Sequence, residues 1–431
     1  MPEITGQISI SSARFEEIKK RAVSVLELKK EIERSLSGSA TQLIELILGG
    51  SLNLDASDIH FEPEEEKTKL RLRIDGMLQD AAAVNRQIYD ILLSRIKLLS
   101  GLKLNVSDRP QDGRFSINLD GSAIEIRSST LPAEKGEAIV LRILNPKNLI
   151  GMGSLGLRED LREMFDKEIK KPNGMIIVTG PTGSGKTTTL YAFLKKIKNP
   201  EIKIITIEDP VEYHLEGISQ TQVQPQKGYD FASGLKSIVR QDPDVILVGE
   251  IRDLETANIA LQAALTGHLV LTTLHTNDAA GTVARLISLG AEPSNIGPAV
   301  NLTIAQRLIR KVCKKCGNFA VPLLNELNKL KQALAGLPKT VKIPKIGKGI
   351  KIPQIKGCKY CNFTGYRGRL GIYESFLVDD EVEKFILKEP SIAALKEIAI
   401  KKGMVTMKQD GFIKVLEGLT TIEEVERVSG E

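Results

Sequence analysis

Residues 180 to 187 read Gly-Pro-Thr-Gly-Ser-Gly-Lys-Thr, a pattern that points to one kind of chemistry. Gly180, Gly183 and Gly185 allow the backbone to turn its N–H groups onto phosphate oxygens, and the positive end of a following helix adds to the attraction. Lys186 is then placed to reach the β and γ phosphates of a nucleoside triphosphate, with the Thr187 hydroxyl on Mg²⁺. Pro181, Thr182, Ser184 and Thr188 complete the loop and its exit. Binding is not hydrolysis, so the nearby acids matter. The apolar run KIITI ends in Glu208, Asp209 and Glu212, and the run DVILV ends in GEIRD, which carries Glu250. His268 and His275 bracket a third run, LVLTTL. A strand-terminal glutamate is often a solvated cap and a histidine at a sheet edge is often satisfied locally, so these groups gain weight from being counted together.

The cysteines make a second constellation. All four lie in two C-x2-C pairs, Cys313 with Cys316 and Cys358 with Cys361. Two such knuckles can close four thiolates tetrahedrally around Zn²⁺. A redox pair needs only one C-x2-C beside a thioredoxin-like βαβ pattern, and disulfides do not persist in a reducing compartment. The segment between the pairs, LPKTVKIPKIGKGIKIPQIKG, is lysine-rich and acid-free and reads as an exposed basic loop.

Elements must hold these residues. An apolar β-type run at 175–178 precedes the glycine-rich loop and a helix-compatible run at 187–196 follows it. Strands ending in polar groups and alternating with helices predict an α/β, RecA-like parallel sheet over 158–310, with ligands at the carboxyl ends of its strands. Upstream, KLRLRIDGMLQDAAAV and RFSINLDGSAIEIRSS set Asp-Gly between alternating strands, which is a hairpin signal. A smaller α+β domain is expected over 38–146, with arginines at strand positions (Arg109, Arg114, Arg127, Arg142). The stretch ARFEEIKKRAVSVLELKKEIERSL reads as one charged helix within an amino-terminal segment, 1–37. Pro146, Gly151, Gly153 and Gly156 mark a hinge at 147–157. A tetracysteine element at 311–370 and a helical part at 371–431 follow.

Composition sets limits. With 42% hydrophobic and 26% charged residues over 431, the chain should build real cores, and a net charge of +6 only hints at an acidic partner. No apolar run approaches the roughly 20 residues a bilayer requires, and the start lacks a signal-peptide layout, so a cytoplasmic protein is expected.

Taken in order, ASDIHFEP, DRPQDGRF, GPTGSGKTTTL, TIEDPVEY, RQDPDVILVGEIRD, TGHLVLTTLHTND and GRLGIYE resemble the bacterial type II secretion and type IV pilus assembly ATPases. The resemblance implies a homohexameric ATP-driven motor, peripheral on the inner membrane and working against a membrane platform protein, with no nucleic acid as partner. It implies that Glu212 is the base for the attacking water, a choice that spacing alone leaves open against Glu208, and that Glu250 serves the Mg²⁺ side. It makes 268–275 the histidine box and the four cysteines a zinc element. It also implies that the 38–146 domain, PAS-like, supplies arginines to the phosphates, Arg127 and Arg142 before Arg109 and Arg114. Members carry a substantial extra amino-terminal docking domain, of which this sequence shows almost none. Two other readings compete. A RecA-like nucleic-acid translocase calls for aromatic stacking, yet aromatics are 4% and Trp is absent. A nucleotide-binding scaffold without turnover sits poorly with an intact Lys186, Glu212 and Glu250.

Overall fold

The computed structural model describes residues 6–119, 121–347, 349–388 and 390–430. The chain divides into two compact units, one of Met1–Asn148 with Cys313–Gly317 and Ile355–Gly368, the other of Leu149–Val312 with Asn318–Gln354 and Arg369–Glu431.

The first unit runs β1 (Gln7–Ile10), α1 (Ser12–Arg21), α2 (Val25–Arg34), α3 (Ala40–Asn53), β2 (Ala56–Pro63), β3 (Lys67–Ile74), β4 (Met77–Asn85), α4 (Arg86–Ser100), β5 (Gln111–Leu119), β6 (Ser122–Ala133) and β7 (Gly136–Leu144). Where one charged helix was expected near the amino terminus there are two. The Ser24 hydroxyl accepts from Glu27 N at 3.3 Å and starts α2 afresh, since a capping side chain offers the backbone an alternative to continuing the first helix. The sheet order is β1-β5-β6-β7-β2-β3-β4, antiparallel except for β1 with β5. The strands bury Ile59, Phe61, Leu70, Leu72, Phe115, Ile126 and Leu141 in one core with Leu28, Ile32, Leu46 and Leu92 of the helices. The β3–β4 hairpin turns at Asp75 and Gly76, both at positive φ (49° and 84°), as a type I′ turn demands. The other Asp-Gly turn includes Asp120, which lies outside the described residues.

The second unit runs α5 (Glu159–Glu168), β8 (Gly174–Thr179), α6 (Lys186–Ile197), β9 (Ile204–Glu208), β10 (Ser219–Gln222), α7 (Phe231–Val239), β11 (Val245–Val248), α8 (Leu254–Leu265), β12 (Leu269–Leu274), α9 (Gly281–Ser288), α10 (Pro293–Ala299), β13 (Val300–Val312), β14 (Asn318–Ala320), α11 (Leu324–Ala333), β15 (Ile352–Gln354), β16 (Tyr366–Leu377), α12 (Asp380–Ile386), α13 (Ile392–Lys401), α14 (Met407–Leu416) and α15 (Ile422–Ser429). Its main sheet is ordered β10-β9-β11-β12-β8-β13-β16, with β8 to β13 parallel. Every residue of β8, β9, β11 and β12 is buried, because helices cover both faces. This is the RecA-like sheet the sequence implies.

Two segments differ in detail from expectation. Part of the 147–157 linker is packed: Met152 and Leu155 are buried in the second unit's core, and Leu155 O accepts from Gly371 N and Tyr373 Oη. Just beyond it, the Arg158 guanidinium reaches Asp410 at 2.6 Å, and that fully buried carboxylate also takes Lys414 Nζ and Tyr373 N, each at 2.7 Å. The lysine-rich segment is not a bare loop either. Val341, Ile343, Ile346 and Ile350 are half-buried, packing on a small core of Leu330, Leu334, Ile352, Phe412 and Ile413. Lys339, Lys342, Lys345 and Lys351 alternate with them and stay exposed.

Candidate functional site

The glycine-rich loop leaves β8 at Thr179 and enters α6 at Lys186, at the carboxyl end of a parallel strand. Pro181, Thr182 and Gly183 are exposed, Ser184 is buried, and residues 185–188, with Lys186, Thr187 and Thr188 among them, are half-buried. Lys186 Nζ lies 2.8 Å from Gly180 O and 3.3 Å from Pro181 O, so the lysine folds back over its own loop. Burial pulls its ammonium below the ordinary lysine range, against the opposing charges of Glu250 and Glu212. Those two carboxylates share its neighbourhood.

The two glutamates that spacing leaves open differ in burial. Glu208 is 3% exposed at the end of β9. It accepts from Tyr191 Oη, from Thr206 Oγ1 at 2.6 Å and from Gln220 Nε2 at 3.3 Å, and burial pushes its carboxyl above the usual range. It thus ties β9 to the helix that follows the phosphate loop. Glu212 is only half-buried, and Asp209 is exposed.

Glu250 follows β11 and is held from two sides, by Arg252 Nη2 at 2.5 Å and His275 Nε2 at 3.5 Å. Burial, then the charge of Lys186, lowers the affinity of His275 for a proton, against the charge of Glu250. Thr276 joins this strand end to the phosphate loop, because its N–H and its hydroxyl both lie 2.8 Å from Thr179 Oγ1. His268 is not among these groups. Leu269 pairs with Gly174 and Leu274 with Thr179, which puts the two histidines at opposite ends of β12, about 23 Å apart at the rise of an extended strand. The His268 ring nitrogen Nδ1 instead sits 3.0 Å from Ala263 O at the end of α8.

In the first unit, strand register lines up the arginines. Arg114 stands opposite Arg127, Arg127 opposite Arg142, Arg142 opposite Asp58, and Asp58 opposite Arg73. Like charges directly opposite repel, so such a row needs a counter-charge. Asp58, 5% exposed, provides one: it accepts from Arg142 Nε at 3.0 Å and Ser57 Oγ at 2.8 Å, with Arg73 Nε at 3.5 Å. Arg127 Nε meets Glu125 at 3.2 Å. Asp58 engages Arg142 through Nε, leaving a side chain that is 60% exposed. Arg109 is exposed in the loop before β5, outside the row.

The four cysteine sulfurs lie within 4.8 Å of one another. Their separations of 4.0 Å (Cys313–Cys358), 3.7 Å (Cys316–Cys361) and 3.8 Å (Cys358–Cys361) fit a tetrahedral centre, since ligands about 2.3 Å from one zinc stand roughly 3.8 Å apart. This cluster belongs to the first unit. There Asn362 Oδ1 accepts from Val25 N at 2.8 Å, and Lys359 pairs with Glu27 at 3.3 Å, so the knuckle rests on the start of α2.

The sequence pattern of the family described as type II/IV secretion system protein matches residues 33–427. The chain belongs to that family. Type II secretion system protein E of Dickeya dadantii is 45% identical to it over 392 residues, 90% of this chain and 76% of that protein. The type IV pilus assembly ATPase PilB of Thermus thermophilus is 41% identical over 421 residues, 97% of this chain but 46% of its own length. Among solved structures, the pilus retraction motor PilT with bound ADP superposes with a TM-score of 0.59 at 26% identity, covering 89% of this chain and 94% of its own. Family membership accounts for the order of the motifs; it does not by itself reveal Thr276, Asp58, Arg73 or Arg252, whose partners lie on other strands or beside a motif acid. Among the described residues no helix is long and apolar enough to cross a membrane.

Proposed function

We propose that the chain is the ATP-hydrolysing subunit of a homohexameric motor, peripheral on the cytoplasmic face of the inner membrane, that drives assembly of a type IV pilus or a secretion pseudopilus. The observation that carries this reading is the meeting of Lys186, Glu212, Glu250 and His275 around the carboxyl ends of parallel strands. The loop N–H groups and Lys186 hold the β and γ phosphates of ATP, helped by Gly180, Gly183 and Gly185. The Thr187 hydroxyl and the Glu250 carboxylate are the groups to hold Mg²⁺, which when bound supplies charge compensation to the phosphates. Glu212 takes a proton from the attacking water as its oxygen closes on the γ phosphorus and ADP departs. His275 braces Glu250; a part for His268 would have to be played against another copy of the chain. Arg127 and Arg142 supply positive charge to the phosphates once the domains close, which couples turnover to movement. Zn²⁺ in Cys313, Cys316, Cys358 and Cys361 stiffens the knuckle, and the exposed lysines beyond it face the membrane platform protein. Steady-state phosphate release from the assembled protein, with and without added DNA, tests the reading. Turnover indifferent to DNA is expected; turnover that requires DNA would replace the motor with a translocase, and none at all would leave a scaffold.

A further inference from the structure

We propose that Gln306 is a positioning residue for ATP: it fixes the direction of the Ser184–Gly185 peptide and so aims the Gly185 N–H at phosphate. β13 runs parallel beside β8 with Ala305 opposite Thr179, which sets Gln306 next to Gly180, the first residue of the loop. The side chain is 1% exposed. Its Nε2 donates to Ser184 O at 2.7 Å, and its Oε1 accepts from Thr189 Oγ1 at 2.7 Å, one turn into α6. The orientation of the amide follows from chemistry: a backbone carbonyl can only accept, so the nitrogen must face Ser184, and the threonine hydroxyl is left to donate to the oxygen.

A trans peptide is planar, with its C=O and N–H on opposite sides. Holding Ser184 O toward β13 therefore turns the Gly185 N–H away from β13, to the side where the loop gathers phosphate oxygens. Packing reinforces this. Gly185 has φ 88°, and a Cβ there would stand 3.1 Å from Gln306 Nε2; a Cβ on Gly180 would collide with Gln306 O. Two loop glycines and one loop carbonyl thus rest on a single residue more than 100 positions downstream, as the 122-residue separation of Gln306 from Ser184 shows. Gln306 does not touch the nucleotide and works through the loop. The inference rests on the reading that this loop binds ATP.

The test is nucleotide affinity against pH for the full chain, wild type beside Gln306→Glu and Gln306→Met, with ADP as the probe. Above neutral pH the introduced carboxylate cannot donate to Ser184 O and instead attracts the Gly185 N–H. Affinity should fall about ten- to a hundredfold, the cost of leaving the buried Ser184 carbonyl without its donor, while kcat at saturating ATP stays within a few fold. Lowering the pH to 6 protonates a carboxyl this deeply buried, restores a donor and should recover most of the deficit relative to wild type at the same pH. Gln306→Met, which has no donor at any pH, should stay weak throughout and stands in for the first variant if that one does not fold. A merely structural role would lower the melting temperature without a pH-dependent affinity. Wild-type affinity in Gln306→Met, or a deficit in Gln306→Glu that is the same at pH 6 and pH 8, overturns the proposal. A wild type that binds no nucleotide would instead overturn the reading of the site.

Discussion

Replacing each of two glutamates with glutamine should have opposite consequences, although they lie four residues apart in EDPVE. At Glu208 the substitution is close to isosteric in a site that can still be satisfied. The new amide oxygen can accept from Thr206 and Gln220, and the new nitrogen can donate to Tyr191 Oη, since a hydroxyl rotates to suit its partner. The cost should stay within about 1 kcal/mol, a few degrees of melting temperature, with turnover little changed. Because burial raises the carboxyl pKa of Glu208 in the folded state, its ionisation works against folding. The stability it contributes is present below the unfolded pKa near 4.3 and is lost as pH rises through the folded value. Wild type should therefore lose ground to Glu208→Gln as the pH climbs from about 4 toward neutrality. At Glu212 the same substitution removes the base, and turnover should drop by roughly 10² to 10⁴, about 3 to 5.5 kcal/mol of barrier, with ATP still bound. Phosphate release and a binding isotherm on both variants decide it. Normal turnover in Glu212→Gln together with its loss in Glu208→Gln would refute the assignment.

Other perturbations test other parts. Asp58→Asn should lower turnover several-fold by letting Arg142 leave its place, and should add nothing in an Arg142→Ala background; additive losses in that double variant would make Asp58 merely structural. Asp410→Ala takes the carboxylate from buried Lys414 and leaves Arg158 with Asp160 alone as counter-charge; it should cost about 3 to 5 kcal/mol in denaturant unfolding, and a loss under about 1 kcal/mol would show that the network carries little. Purified chains should hold about one zinc each, and Cys313→Ser with Cys316→Ser should speed hydrogen exchange at the Val25 amide, which Asn362 beside Cys361 accepts, while leaving ATP affinity unchanged. Zinc-free protein with four freely titrating thiols would remove the metal from the account.

What could be read from the sequence was what is local. The phosphate loop, the acids that end β9 and β11, and the paired cysteines each announce themselves within a few residues, since the chemistry needs them at fixed spacing. Hairpins at Asp-Gly were legible for the same reason. Arg114, Arg127 and Arg142, though not Arg109, lie on strands as the sequence implies, but that these three form one row with Asp58 is invisible there, because register decides which residues of distant strands stand opposite. Gln306 carried no signal at all: an isolated glutamine in NLTIAQRLIR acquires meaning only when β13 is laid beside β8. The resemblance implies a histidine box spanning 268–275, and only the strand shows that its two histidines stand at opposite ends of six extended residues. The break between α1 and α2 leaves no mark in the charge pattern, which runs on through Ser24, the residue whose hydroxyl ends the continuity.

The central claim is that this phosphate loop turns over ATP. The measurement that tests it most directly is phosphate release by the assembled wild type and by Lys186→Ala, matched for folding by circular dichroism and melting temperature. The account predicts steady turnover in the first and its loss in the second, because without the lysine the loop keeps its N–H groups but loses its one full positive charge against the β and γ phosphates. Equal turnover in the two proteins, or none in either, would contradict it.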